Sequence, residues 1–335
     1  MELIGIGDLH LDKLDSIIPD ASALICRSLR RVFKYALERG VHNVFFYGDI
    51  GDKHRLSAVA ECMLLDTVLR DEYRDLSMHF ILGNHDFAEN GDYSLRFLET
   101  IADRLDFNIK VYTKPKIVNV DGVPFKFMPY PYEDTEKGAA NVIHFEVAGS
   151  TRDNGRVIDD GPSNKHVCLA GHLHTSHRVR NTFYSGTLYQ TNFGEAMPKF
   201  FHHAVFHSIS DYDVQNVPFK PPWELNNLIV KSAKDLKQIR EESHILYKLF
   251  VKDGADIDIN AVLEKYPNVV RHNGFKSKAD LKQQIEEAWE FDADLVDQEV
   301  QPIDEKEFVL PFLAQKGFSK KAQRRGVEIL TGLGR

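Results

Sequence analysis

The chain has 335 residues, 43% of them apolar, and its 42 basic and 50 acidic side chains give a formal charge of −8. That is enough apolar material for a sizeable core and about two domains, while 11% aromatic residues with only 21 Gly and 13 Pro exclude a disordered or low-complexity chain. The acidic balance opposes a simple basic, sequence-blind DNA binder. No run approaches the roughly 18 apolar residues of a membrane helix. The start MELIGIGDLH has no basic stretch leading into a long apolar one, so a cleaved secretion signal is not expected. Three cysteines, Cys26, Cys62 and Cys168, with no C-x-x-C exclude a disulfide framework or a cysteine zinc site and point to a reducing, cytoplasmic compartment.

The first two thirds alternate. Leu3 to Ile6, Val44 to Tyr47, His79 to Leu82 and Val167 to Ala170 read as buried strands that end in polar loops. Between the first three lie helical patterns. Ile25, Leu29, Val32, Phe33, Ala36 and Leu37 share a face closed by Arg39-Gly40; Ser57 is placed to cap a second helix and Ser94 a third. This is an α/β arrangement with helices on a sheet. From Lys114 the texture changes: Lys116 to Val120 and Val123 to Met128 flank the hairpin signal Asp121-Gly122, and strands are expected at Arg178 to Tyr184 and Phe200 to Ser208. A second, more antiparallel sheet packed on the first follows. Pro218-Phe219-Lys220-Pro221-Pro222 reads as a linker. Beyond it, a strand at Asn227 to Lys231, a helix at Ala233 to Glu242, a strand at Leu246 to Val251 and a helix at Asn260 to Tyr266 form a small α/β module. After residue 276 the chain reads as helical and charged. The expected organisation is 1–217, 218–275 and a helical C-terminal segment 276–335.

Four places put hard metal ligands directly after an apolar strand: Gly7-Asp8-Leu9-His10, Gly48-Asp49-Ile50-Gly51-Asp52, Gly83-Asn84-His85-Asp86 and Gly171-His172-Leu173-His174. Loops at the carboxyl ends of an α/β sheet converge on one crevice, so Asp8, His10, Asp49, Asn84, His172 and His174 are expected in one small volume. The glycine before each cluster is expected to let the backbone turn sharply. Carboxylate, imidazole and amide oxygen without thiolate suit manganese, iron or zinc. Two ions need a bridging anion, for which Asp49 is the natural candidate, and His144 after Asn141-Val142-Ile143 completes the second position. Each signature alone is common in satisfied core residues; their ordered recurrence at strand ends is not.

The ordered set D-x-H, G-D-x-x-D, G-N-H-D, an intermediate His and G-H-x-H resembles the calcineurin-like metallophosphoesterases. Tyr184 to Glu195, reading YSGTLYQTNFGE, narrows the resemblance to the SbcD/Mre-eleven nuclease family, including phage recombination-endonuclease subunits, over about residues 5–195. The resemblance implies a four-layer αββα two-sheet sandwich with a small α/β cap domain and a helical C-terminal segment. It also implies two divalent ions, most readily Mn2+, and a DNA exonuclease/endonuclease subunit of an SbcCD-like repair and recombination complex. The implied partners are DNA and an SbcC-type (Rad-fifty-like) coiled-coil ATPase bound by the C-terminal segment. The implied assembly is a homodimer within a heterotetramer, in the host cytoplasm if phage-encoded. Carried over by motif, Asp8, His10 and His174 hold the first ion, Asn84, His144 and His172 the second, and Asp49 bridges. His85 stabilises the transition state or protonates the leaving oxygen.

One position departs from many nuclease relatives, which carry His three residues after the bridging Asp; this chain has Asp52. It is expected to orient His85 and raise its pKa. Arg178 and Arg180 are expected at phosphates, and with a net charge of −8 most DNA affinity should come from an assembly partner. The competing readings are a calcineurin-like phosphatase or cyclic-nucleotide phosphodiesterase with a small substrate, and a non-catalytic scaffold of the same fold.

Overall fold

The computed structural model describes residues 1–88, 91–162, 165–195, 197–252 and 254–270. The chain divides into two units, Met1–Gly274 and Phe275–Arg335, and every described residue belongs to the first. The helical segment expected over 276–335 lies outside the described residues.

In chain order come β1 (Glu2–Ile6), α1 (Ala21–Glu38), β2 (Asn43–Phe46), α2 (Ala58–Val68), β3 (Ser77–Ile81), α3 (Arg96–Leu105) and β4 (Ile109–Tyr112). Next are β5 (Lys116–Val120), β6 (Val123–Met128), β7 (Ala140–Ile143), β8 (Cys168–Ala170), β9 (His177–Val179), β10 (Thr182–Tyr184), β11 (Lys199–Phe206) and β12 (Tyr212–Phe219). They form two six-stranded sheets, ordered β12-β11-β1-β2-β3-β4 and β5-β6-β7-β8-β10-β9. β1 to β4 are parallel neighbours, as are β6, β7, β8 and β10 in the second sheet. The parallel centres explain the unbroken apolar runs: both faces of each strand are covered. In β2, Val44 and Phe46 pack on the helices, whereas Phe45 and the following Tyr47 face the second sheet with Phe125, Phe127, Val142 and Leu169.

The helices cover the outer face of the first sheet through Ile25, Leu29, Val32 and Phe33 of α1, Leu64 and Val68 of α2, and Leu98 and Ala102 of α3. Over the outer face of the second sheet, Phe145, Val147 and Leu173 pack with Met128, Ile143, Cys168 and Tyr184, and Val179 lies against them.

Local chemistry sets the helix ends. α1 stops where Gly40 takes φ +66° and Val41 and Gly40 donate back to Ala36 and Leu37, both at 3.0 Å, a reciprocal pair that satisfies two terminal carbonyls. Ser57 caps α2 by accepting from the Ala60 N–H at 3.2 Å. Ser94 does not cap α3; its hydroxyl donates to Asp86 at 2.7 Å, and the helix begins one residue later after Leu95. The region 178–184 is two short strands turned at Arg180, which has φ +53°. The proline-rich stretch starts later than expected, because Pro218 and Phe219 still belong to edge strand β12, where proline's missing donor costs no pairing.

A third sheet of three parallel strands, β13 (Glu224–Val230), β14 (Ile245–Val251) and β15 (Val269–Val270), packs with helix α4 (Ile259–Lys265) around its own core. The helix expected at Ala233 to Glu242 is a single tight turn at Asp235–Gln238. Gln190 joins this sheet to the rest: its side chain accepts from Leu225 N at 2.8 Å and donates to Leu225 O at 3.0 Å, and Trp223 donates to Gln190 O at 3.0 Å.

Phe45 makes edge-on contacts with Phe125 and Phe127, both at 5.1 Å between ring centroids, across the two sheets. Phe45→Ala should therefore lower stability by about 3–5 kcal/mol, read as a drop in the denaturant midpoint at an unchanged slope.

Candidate metal centre

Five strand ends meet. β1, β2 and β3 deliver Asp8 and His10, Asp49, and Asn84; β7 and β8 of the facing sheet deliver His144, and His172 and His174. Asp8, His10, Asp49 and His144 are almost fully buried. On one side, His10 Nε2 and His174 Nε2 lie 3.1 Å apart, and His174 Nε2 is 3.5 Å from Asp8 Oδ2. On the other, His144 Nε2 and His172 Nδ1 lie 3.1 and 3.0 Å from Asn84 Oδ1. Asp49 Oδ2 stands between them, 3.8 Å from His10 Nε2 and 3.2 Å from His144 Nε2. All seven expected ligands are thus brought together, in two groups that share one carboxylate oxygen.

The glycines act differently from expectation. Of the four that precede the clusters, only Gly48 has a positive φ. Gly83 is required by close approach: a Cβ there would stand 2.0 Å from Asp49 Oδ1 and 2.5 Å from Asp49 N. The left-handed backbone falls instead on His10 (φ +40°), Asp49 (φ +48°) and His172 (φ +77°), the candidate ligands themselves, a conformation that surrounding contacts must hold. Much of that hold comes from Asp86. Fully buried, it accepts from Ile50 N and Gly51 N at 3.1 Å, Gly83 N at 2.9 Å and Ser94 Oγ, and so staples the second loop to the third. Burial and the Asp49 charge push its pKa up, while these donors pull the other way.

The donor set fits divalent cations. His144 Nδ1–H donates to Tyr47 O at 2.6 Å, which leaves an Nε2 lone pair facing two oxygens, Asn84 Oδ1 and Asp49 Oδ2. His174 Nδ1–H donates to Glu195 Oε1 at 2.8 Å, so its Nε2 lone pair faces His10 Nε2 and Asp8 Oδ2. Acceptors turned on acceptors need a cation between them. Without metal, a proton serves at the second group. Burial opposes charge on His144, but Asp49 and Asp8 lift it to about 10, and Asp49, despite burial, is held far below the usual carboxylate range by His144, His10 and His85. Asp8, His10, His174 and Asp49 could hold one divalent ion; Asp49, Asn84, His144 and His172 could hold another.

His85 sits at the rim, its backbone N–H donating to Asp49 Oδ1 at 2.9 Å and its ring Nδ1 2.8 Å from the backbone carbonyl of Asp52. The expected carboxylate pairing with Asp52 is therefore corrected. Asp52 Oδ1 turns to His10 Nδ1 at 3.4 Å and Lys13 Nζ at 3.3 Å, and those contacts, against burial, hold the Asp52 pKa near about 2. The residue does orient His85, through its main chain. Arg178 is spent on its own hairpin, with Nε donating to Arg180 O at 2.7 Å and its guanidinium over the Phe183 ring at 4.6 Å. Neither arginine stands among the groups that converge on Asp49.

Sequence reasoning assigned no role to Glu195, although it closes the YSGTLYQTNFGE segment. Buried, it accepts from His174 Nδ1, Thr191 N at 3.0 Å, Thr191 Oγ1, Asn192 Nδ2 at 2.9 Å and Lys199 Nζ at 2.7 Å. Burial alone would raise its pKa, but His174 and Lys199 hold it low, near about 2. A carboxylate on the far nitrogen of a ligating imidazole fixes ring orientation and tautomer.

The family profile described as calcineurin-like phosphoesterase matches residues 1–176. The chain belongs to the calcineurin-like phosphoesterases. Membership implies hydrolysis of phosphoester bonds with divalent metals, and the residues matched contain all seven candidate ligands. "Exonuclease subunit 1" of Enterobacteria phage T4 is 24% identical over 213 residues, covering 58% of this phosphoesterase. The chain spans 61% of that relative's length. A solved structure described as a novel archaeal phosphodiesterase aligns over 65% of the chain and all of its own, at 13% identity and a TM-score of 0.33. No helix among the described residues is long and apolar enough to cross a membrane.

Two outcomes follow for the phosphoesterase. Because its raised pKa keeps His144 protonated at neutral pH in the metal-free protein, an ion at the second group must displace that proton. Mn2+ affinity there should rise with pH, by about tenfold per unit between about pH 6 and 9, and calorimetry in buffers of different ionisation enthalpy should show about one proton released. Glu195→Gln should weaken Mn2+ binding at the first group by about 10- to 100-fold, measured by titration, with the second group unaffected.

Proposed function

We propose that this phosphoesterase is a two-metal DNA nuclease subunit of an SbcCD-like repair and recombination complex, most readily with Mn2+. The observation that carries the reading is the pair of acceptor groups that share Asp49 Oδ2, with His85 fixed beside them. The exonuclease-subunit name of the phage relative supports the substrate. In this reading 1–217 is the nuclease domain, 218–275 caps it, and 276–335 binds an SbcC-type coiled-coil ATPase in a heterotetramer. A chain of net charge −8 holds DNA weakly alone, and the partner supplies most of the affinity.

Divalent ions at the two groups would supply the positive charge and Lewis acidity that an anionic diester needs before water can attack it. The chain's own contribution is placement. Asp8, His10, Asp49 and His144 are buried and oriented before any ion arrives, so little reorganisation remains at reaction. With His85 Nδ1 engaged by the Asp52 carbonyl, Nε2 is the nitrogen left to donate a proton to the leaving oxygen.

Digestion of end-labelled single-stranded and duplex DNA with Mn2+, with and without a candidate ATPase, tests the reading. Cleavage of DNA with no turnover of phosphomonoesters is expected; the reverse pattern would establish a small-substrate phosphatase instead. Asp49→Asn should lower the rate by about 10²- to 10³-fold and His85→Asn by about 10²- to 10⁴-fold. Asp52→Asn, which keeps its carbonyl, should leave the acidic-to-neutral limb of the pH–rate profile in place.

A further inference from the structure

Beside the second acceptor group lies a cleft of about 290 Å³, lined by His144 and His172 together with Tyr130, Tyr132 and Phe145. The two tyrosines are 42% and 40% exposed, among the most exposed large apolar side chains of the described residues. Their loop follows β6 and is tied down: Tyr130 N donates to Leu82 O at 2.9 Å and Tyr132 N to Pro129 O at 3.0 Å. Leu82 immediately precedes Gly83-Asn84-His85, so the rings are mounted on the backbone that carries a candidate ligand and the candidate proton donor.

The charge of this cleft is selective. Glu133, Glu146 and Asp160 line it, and no lysine or arginine among the described residues does; Arg152, the basic partner of Glu146, is engaged by both of its oxygens at 2.7 Å. A phosphate entering here would meet carboxylates and no cation. A neutral, planar heterocycle meets aromatic faces on which to stack and acceptors for its ring and amino N–H groups. With an anion-seeking centre and a ring-seeking cleft sharing His144 and His172 as a common wall, the arrangement matches a phosphodiester joined to a base.

We propose that the Tyr130–Tyr132 cleft is a subsite for one unpaired nucleobase next to the scissile phosphate. A base that enters it must leave its stack and its partner, so the substrate class is single-stranded or frayed nucleic-acid ends, in preference to intact duplex or small phosphoesters. This deepens the nuclease reading of the metal centre and rests on it.

The test uses the full chain with Mn2+ and short single-stranded oligonucleotides, either normal or carrying one abasic residue at successive positions from the cleaved end. For the wild type, one abasic position should raise KM by about 10- to 100-fold with kcat within a few-fold. Tyr130→Ala/Tyr132→Ala should raise KM on the normal strand by a similar factor and cleave normal and abasic strands alike. Tyr130→Phe/Tyr132→Phe, which keeps the stacking faces, should restore discrimination. The subsite is overturned if no abasic position affects the wild type, or if the double alanine variant still discriminates. If the wild type hydrolyses a simple aryl phosphodiester but no oligonucleotide, the nuclease reading fails and the subsite falls with it. Loss of discrimination in an enzyme that still cuts DNA separates the two.

Discussion

The centre is built on a proximity that side chains beyond Cα would forbid. Where the loops after β2 and β3 cross, there is no room for a Cβ on Gly83 against Asp49. That contact lets Asp49 reach the histidines of both groups at once. It also sets lone pairs against lone pairs, an arrangement that opposes folding unless a cation or a shared proton intervenes. The strain is confined: three left-handed ligand residues and a crowded set of acceptors are held by Asp86, by the Leu9 and His10 N–H groups on Asp49 O at 2.9 and 3.0 Å, and by two dense cores.

The two sheets contribute unequally. The first, with helices on its outer face, supplies the carboxylates and the amide; the second supplies three of the four imidazoles that converge on them. Two of the rings that reach across have their far nitrogen engaged, His144 by the Tyr47 carbonyl and His174 by Glu195. The two anchors differ in kind. A carbonyl fixes a tautomer, whereas a buried carboxylate backed by Lys199 also adds electron density to the ring. The same segment that carries Glu195 carries Gln190, which binds the third sheet, so the small module and the first acceptor group are supported by one stretch of chain.

Net acidity and phosphate chemistry are compatible here because positive potential is concentrated where cations would sit, and is absent from the neighbouring cleft. An acidic protein of this design discriminates by arrangement: anionic parts of a ligand have one favourable place, neutral rings another. Arg178, packed on Phe183, stabilises its hairpin and leaves this division undisturbed.

Much of this was legible in the residues alone. Strand periodicity, the Gly40 and Ser57 helix signals, the Asp121-Gly122 hairpin and the ligand-bearing strand ends are local features, and all seven candidate ligands were named from them. Ser94 misled because Asp86, eight residues earlier, offers its hydroxyl a buried carboxylate that the helix end could not match. What depended on contacts between distant segments was hidden. That Asp52 holds His85 by its carbonyl while its carboxylate faces His10 and Lys13, that Glu195 lies behind His174, that glycines serve close approach more than turning, and that two tyrosines flank His144 and His172 all follow from which strands are neighbours. A sequence encodes period and side-chain chemistry over a few residues; the order of strands in two facing sheets decides which of those side chains share a volume, and only there do lone pairs, protons and clefts acquire partners.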